Sequence, residues 1–210
     1  MKQGILLYAH NSSDVDYLKI ATVAGFLAKK NLNKSVSIIT DSDSLNFSKT
    51  QDYYKQFESI FEHIILTDIE HGKNYRNLHD GAESKTVPFI NHNRPLVYDL
   101  TPYDQTLLID ADFLIFTKNF NKYFDLDANL ILCDEVYDIG SRLKYEDYYI
   151  SQTGPKMYWA TCMLFKKCEY VKIFFELSKY IQENYNYFAN VYNYNPKMYR
   201  NDVCISIAKH

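Results

Sequence analysis

Apolar runs alternate with amphipathic stretches from the first residues onward. Gly4 to Ala9 (GILLYA) is apolar without alternation, as in a strand covered on both faces of a parallel sheet. Ser12 and Ser13 then offer a helix cap. Leu18, Ala21, Phe26 and Leu27 follow at roughly helical spacing, and Lys29-Lys30-Asn31 closes that helix with cations. Val36 to Thr40 (VSIIT) is a second β-branched run, ended by Asp41. A helical stretch over residues 52–61 leads to a third strand, His63 to Leu66. This alternation predicts an α/β fold with a mixed, mainly parallel sheet flanked by helices.

The next segment, Thr67 to Lys85, shows no period and reads as a long loop. Phe89 to Leu100 is expected to be helical despite Pro95, and Thr101-Pro102-Tyr103-Asp104 forms a turn. Thr106 to Ile109 (TLLI) is a strand that runs into Asp110-Ala111-Asp112 and a second apolar run, Phe113 to Phe116 (FLIF). Asn129 to Cys133 and Tyr158 to Phe165 (YWATCMLF) read as buried strands. Val171, Phe174, Phe175, Leu177 and Ile181 give the helix after them a broad apolar side. No repeat, low-complexity tract or linker interrupts the pattern, so residues 1–210 are expected to form one domain.

Composition narrows the class. With 47% hydrophobic and 23% charged residues among 210, the chain can bury a core and is not disordered. A net charge of -3 argues against a surface that grips nucleic acid throughout, although it leaves room for a local basic groove. No apolar run reaches the roughly 18–20 residues of a bilayer span. The stretch after Met1-Lys2 ends at His10-Asn11 without a small-residue cleavage site, so the expected compartment is the cytoplasm. Cys133, Cys162, Cys168 and Cys204 lack metal-ligand spacing and read as reduced thiols. The 20 tyrosines and 13 phenylalanines carry no mechanism by themselves. Self-association into a homo-oligomer stays open.

The chemistry concentrates at Asp110 and Asp112. Two carboxylates one residue apart, flanked by TLLI and FLIF, would be costly to bury unpaired at a sheet edge. A hard divalent cation, Mn²⁺ or Mg²⁺, offsets that cost and also holds a substrate diphosphate. The carboxyl ends of strands in open α/β sheets are where ligands bind. The plain alternative is a pair of solvated acids capping a strand.

The stretch Leu100 to Phe116 (LTPYDQTLLIDADFLIF) resembles the Asp-x-Asp region of GT-A glycosyltransferases, the glycogenin-like, phage and bacterial enzymes in particular. GILLYAH, YWATCMLFKK and Tyr199-Arg200-Asn201-Asp202 extend the likeness over nearly the full chain, in order. The resemblance implies a GT-A fold, a nucleoside-diphosphate sugar donor, usually a UDP-sugar, and Mn²⁺ or Mg²⁺. It implies Asp112 as the principal metal ligand and Asp110 as its partner toward the donor ribose. Tyr8, Ala9, His10 and Asp41 would lie at the nucleoside. Asp202 would face the acceptor, as general base in an inverting reaction or as a sugar-positioning acid in a retaining one. Relatives often draw a further metal ligand, commonly His, from a C-terminal segment; His210 is that ligand here or the segment is missing. Thr161-Cys162 depart from the Asn-Ala-Gly of many relatives.

Weaker candidates are Lys85, Arg94 and Arg76 as cations for the diphosphate, Asn91 and His92 as hydrogen-bonding groups, and Trp159 as a stacking platform. The acceptor would be a saccharide, a protein hydroxyl or, in a phage, a hydroxymethylated DNA base. Three other readings compete. A haloacid-dehalogenase phosphatase places Thr or Val where Leu114 stands. A nucleotidyltransferase needs a Gly-rich loop where Ala9-His10-Asn11-Ser12 stands. A binding protein could keep the fold without turnover.

Overall fold

The computed structural model describes residues 1–67, 75–80, 83–88, 94–138, 142–145, 148–194 and 199–210. In chain order the elements begin with β1 (Gln3–Tyr8), α1 (Tyr17–Leu32), β2 (Ser35–Thr40), α2 (Ser42–Lys49), α3 (Tyr54–Ile60) and β3 (Phe61–Leu66). Then come β4 (Tyr75–Asp80), β5 (Glu83–Pro88), α4 (Val97–Leu100), β6 (Gln105–Asp110), α5 (Asn121–Phe124) and β7 (Leu130–Cys133). The last are β8 (Val136–Asp138), β9 (Leu143–Tyr145), β10 (Trp159–Lys166), α6 (Glu169–Glu183), α7 (Tyr185–Val191) and α8 (Asn201–Lys209).

Six strands form one sheet in the order β3-β2-β1-β6-β10-β7. The first four run parallel, and β10 lies antiparallel on β6, with Cys162 opposite Ile109. The expected mixed, mainly parallel sheet is therefore present. Its strands carry continuous apolar runs because both faces are covered: Ile5, Leu7, Val36, Ile38, Leu107, Ile109 and Leu164 belong to one cluster with Leu18, Ala21, Ala24 and Ala28 of α1. Asp16, not Ser12 or Ser13, caps α1 by accepting the Lys19 N–H; the Ser12 hydroxyl accepts the Val15 N–H instead. The helix stops at Asn33, whose left-handed φ of 52° lets its N–H reach the Lys29 carbonyl.

The Thr101–Asp104 turn is tied to the sheet. Tyr103 is buried against Gly4, and its hydroxyl lies 2.6 Å from Ser37 Oγ on β2. Burial pushes the phenol up to about 12. The Asp104 carboxylate accepts the Lys2 N–H at 2.7 Å. A Cβ on Gly4 would sit 2.3 Å from the Tyr103 ring. Gly4→Ala is therefore expected to lower stability by about 1–3 kcal/mol through overpacking, read as a lower urea midpoint. An unchanged midpoint would mean the ring is free to move.

Several expectations need correction. Thr67 to Lys85 is not all loop, because β4 and β5 pair as an antiparallel hairpin with Asp80 opposite Glu83. Pro95 lies in a short 3-10 turn, Arg94–Leu96, and only Val97–Leu100 follows as α-helix, since proline fixes φ and lacks a donor. The helix expected over 52–61 is α3, with α2 ahead of it. The edge strand β7 is only half-buried. Leu177 is exposed on α6; Ser178 takes the inward position and donates to the Phe174 carbonyl.

Two compact units divide the chain: Met1–Ile69, Val97–Ile131 and Thr161–Val171 form the first, and Glu70–Leu96, Leu132–Ala160 and Lys172–His210 the second. The second has its own core of Ile150, Met157, Ile181, Tyr185, Tyr199, Val203 and Ile207. No described helix is long and apolar enough to cross a membrane. All four cysteines are free thiols.

Candidate functional site

In the first unit, the parallel strands β1, β2, β3 and β6 end on one edge of the sheet. Tyr8 on β1 is in register with Asp110 on β6, and the Ala9 N–H donates to the Ile39 carbonyl of β2. Parallel pairing therefore brings together Tyr8, Ala9, His10, Asp41 and Asp110, which the sequence placed separately at strand ends. Asp112 follows in a turn closed by the Phe113 N–H on the Asp110 carbonyl, 3.1 Å.

The two acids are not desolvated as expected. Asp110 is half-buried and Asp112 exposed, and FLIF is no strand: Leu114 and Phe116 are 41% and 68% exposed, while Ile115 is buried. The burial cost inferred from the sequence does not arise, so the argument for a cation rests on donor chemistry. Two carboxylates at a strand end suit Mg²⁺ or Mn²⁺, which is commonly held by one or two acids together with substrate phosphates. Among the described residues no three His, Cys, Asp or Glu side chains gather into a metal site.

His10 and Asp41 form a buried pair, with His10 Nδ1 2.8 Å from Asp41 Oδ2. Asp41 also caps α2. Its Oδ1 accepts the Ser44 N–H at 2.8 Å and its Oδ2 the Ser44 hydroxyl at 2.5 Å. Burial works to raise the Asp41 carboxyl, yet these donors and His10 hold it below the ordinary carboxylate value. Burial pulls the His10 imidazole below its ordinary value, outweighing the upward pull of Asp41. The pair is a neutral imidazole on a carboxylate. The Tyr8 ring meets His10 edge-on at 4.7 Å.

Four buried polar atoms at this edge have no hydrogen-bond partner among the described residues: His10 Nε2, Asn11 Nδ2, Thr40 Oγ1 and Thr67 Oγ1. They lie just beyond β1, at the end of β2 and just beyond β3. Each such orphan costs about 1–3 kcal/mol unless something satisfies it. Asn11 and Thr67 were not singled out from sequence; ordinary polar residues after apolar runs give no signal until the strands pair.

The second unit holds Asp202, Arg94, Trp159 and His210. Asp202, in the first turn of α8, is committed to protein donors. Its Oδ1 accepts the Ala160 N–H at 2.7 Å, and its Oδ2 accepts Arg200 Nη2 and Nε at 2.7 and 3.0 Å. The Arg200 guanidinium lies 5.6 Å over the Trp159 ring, which stacks on Tyr148. Arg94, expected beside a diphosphate, is buried and donates from Nη2 to the Ala160 carbonyl. Ala160 is thus held through both its peptide groups, by an acid and a guanidinium. His210 ends α8, exposed, with its ring near Tyr192. Lys85 and Arg76 lie on the β5–β4 hairpin, their side chains outside the described residues, as are Asn91 and His92 entirely.

No protein-family model matches the chain, and no curated protein matches it in sequence. Solved structures match its fold. LgtC, a galactosyltransferase solved with donor and acceptor sugar analogs, superposes with a TM-score of 0.54 at 13% identity, over 98% of this chain and 70% of its own. Mouse xyloside xylosyltransferase 1 gives 0.53 at 12% identity, over 100% and 81%. GlyE, a glycosyltransferase of Streptococcus pneumoniae, gives 0.49 at 13%; this chain spans 42% of its length. The fold is the GT-A fold of glycosyltransferases.

Proposed function

We propose that the protein is a GT-A glycosyltransferase that moves a sugar from a nucleoside-diphosphate donor, a UDP-sugar, to an acceptor hydroxyl. The observation that carries this reading is the carboxyl edge of β1, β2, β3 and β6. There His10, Asp41, Asp110 and Asp112 collect beside four buried polar atoms in want of partners, on a sheet shared with known glycosyltransferases.

In this reading Tyr8, Ala9, His10 and Asp41 receive the nucleoside, and Asp110 and Asp112 hold Mn²⁺ or Mg²⁺ at the diphosphate. With the cation bound, the negative charge that grows on the departing diphosphate is offset. The chain's own contribution is orientation: a rigid strand end fixes Asp110, and the turn after it presents Asp112. Asp202 holds the Ala160 N–H at the start of β10. This fits a retaining reaction, in which no side chain has to take the acceptor's proton as a base.

The reading is tested by thermal shift on the full chain with UDP, with and without Mn²⁺, alongside release of UDP from UDP-sugars. Nucleotide at 100 times its Kd should stabilise the native state by about 2.7 kcal/mol. EDTA should reverse most of that. No shift and no UDP release with any UDP-sugar would remove the proposal.

A further inference from the structure

We propose that the outer surface of α1, together with the chain that follows Asp112, docks on an anionic lipid membrane surface.

Charge is spread unevenly over the chain. Its net charge is -3, yet residues 17–34 hold Lys19, Lys29, Lys30 and Lys34 with no Asp or Glu. Residues 113–124 hold Lys118 and Lys122, again without an acid. The two segments are neighbours: Asn31 Nδ2 donates to the Ile115 carbonyl at 2.7 Å, and Lys34 Nζ lies 4.4 Å over the Phe124 ring. Ala21, Ala24 and Ala28 of α1 share one buried cluster with Ile115 and Phe124, so both segments cover the same face of the sheet. Their exposed side chains point away from that face. Acids mark the limits of the basic surface, with Asp16 before the first segment and Asp112 and Asp125 on either side of the second.

The same surface is apolar. Lys19, Val23, Phe26 and Lys30 recur at helical spacing and form one outer ridge of α1. Val23 and Phe26 are 51% and 43% exposed, and Leu114 and Phe116 are exposed in the second segment. Lys29 donates to the Ser59 and Ile60 carbonyls, whereas Lys19, Lys30, Lys118 and Lys122 reach solvent. The Lys30 ammonium lies 5.9 Å over the Phe26 ring, and that of Lys122 5.0 Å over Tyr123. Lysine stems laid on rings with their charge at the rim suit a headgroup boundary. Nucleic acid would engage the lysines and leave Val23, Phe26, Leu114 and Phe116 in water. A lipid surface takes both, the cations among headgroups and the apolar side chains at the acyl boundary.

The test is co-sedimentation of the full chain with vesicles of phosphatidylcholine alone or mixed equally with phosphatidylglycerol. Binding to the mixed vesicles is expected to be at least about tenfold tighter and to fall as salt is raised. Lys30→Glu with Lys118→Glu should weaken it by at least about 25-fold, at about fivefold for each lysine lost from an anionic surface. Phe26→Ser with Phe116→Ser should weaken it about tenfold and leave the salt dependence in place. All four positions are exposed, so an unchanged urea midpoint shows that each variant is folded. Equal binding to the two kinds of vesicle, binding to neither, wild-type binding by either double variant, or tighter binding to duplex DNA than to the mixed vesicles would overturn the proposal. Nucleotide binding by the same samples is read separately and stands or falls on its own.

Discussion

Replacing Asp112 with alanine is expected to lower Mn²⁺-dependent release of UDP from a UDP-sugar by about 100- to 1000-fold or more, with little change in stability. The loss is of the order seen when one group that offsets developing charge is removed from an active site. The stability expectation comes from exposure: Asp112 sits in a turn past the end of β6, and exposed substitutions usually stay within about 0.5 kcal/mol. Activity measured beside a urea titration separates the two effects. A variant with full Mn²⁺-dependent turnover would show that the cation, if used, is held elsewhere.

Asp202→Ala is expected to act first on stability, costing about 1–3 kcal/mol by leaving the Ala160 N–H without its acceptor and Arg200 without its counter-ion. The carboxylate is only 15% exposed, so solvent compensates poorly. Asp202→Asn separates the two roles. Its carbonyl oxygen still accepts from Ala160, so a holding residue should keep turnover within about tenfold. A general base should lose about 100-fold or more at unchanged stability. A stable, inactive asparagine variant would restore the role of base and favour inversion.

The central strands were legible because GILLYA, VSIIT, TLLI and YWATCMLF are largely buried and therefore mostly apolar, a pattern that needs no partner to be recognised. The β4–β5 hairpin was not, since YRNLHD and ESKTVP are mostly polar and show no run; the Asp80-Gly81 pair between them was the one available hairpin signal. FLIF misled in the opposite direction. It is as apolar as a strand, yet only Ile115 is fully buried. The site was legible as a set of strand ends and not as a set of contacts. That His10 meets Asp41, or that Asp202 meets Ala160, depends on pairings between distant segments that no local pattern encodes. Arg94 shows the cost: its charge suggested a phosphate, whereas its burial joins it to a backbone carbonyl.

The position of β1 in the sheet has one more consequence. On one side it pairs with β2, where Gly4 meets Ser35, and on the other with β6, where Gly4 meets Thr106. During synthesis the first neighbour emerges early, but half of the backbone groups of β1 wait until the ribosome has passed Asp110. A nascent chain shorter than that presents an open, apolar strand border, the kind of surface that invites association with other chains. No amino-terminal fragment ending before Asp110 contains the whole edge proposed for the donor, so nucleotide binding would report that the central sheet has closed.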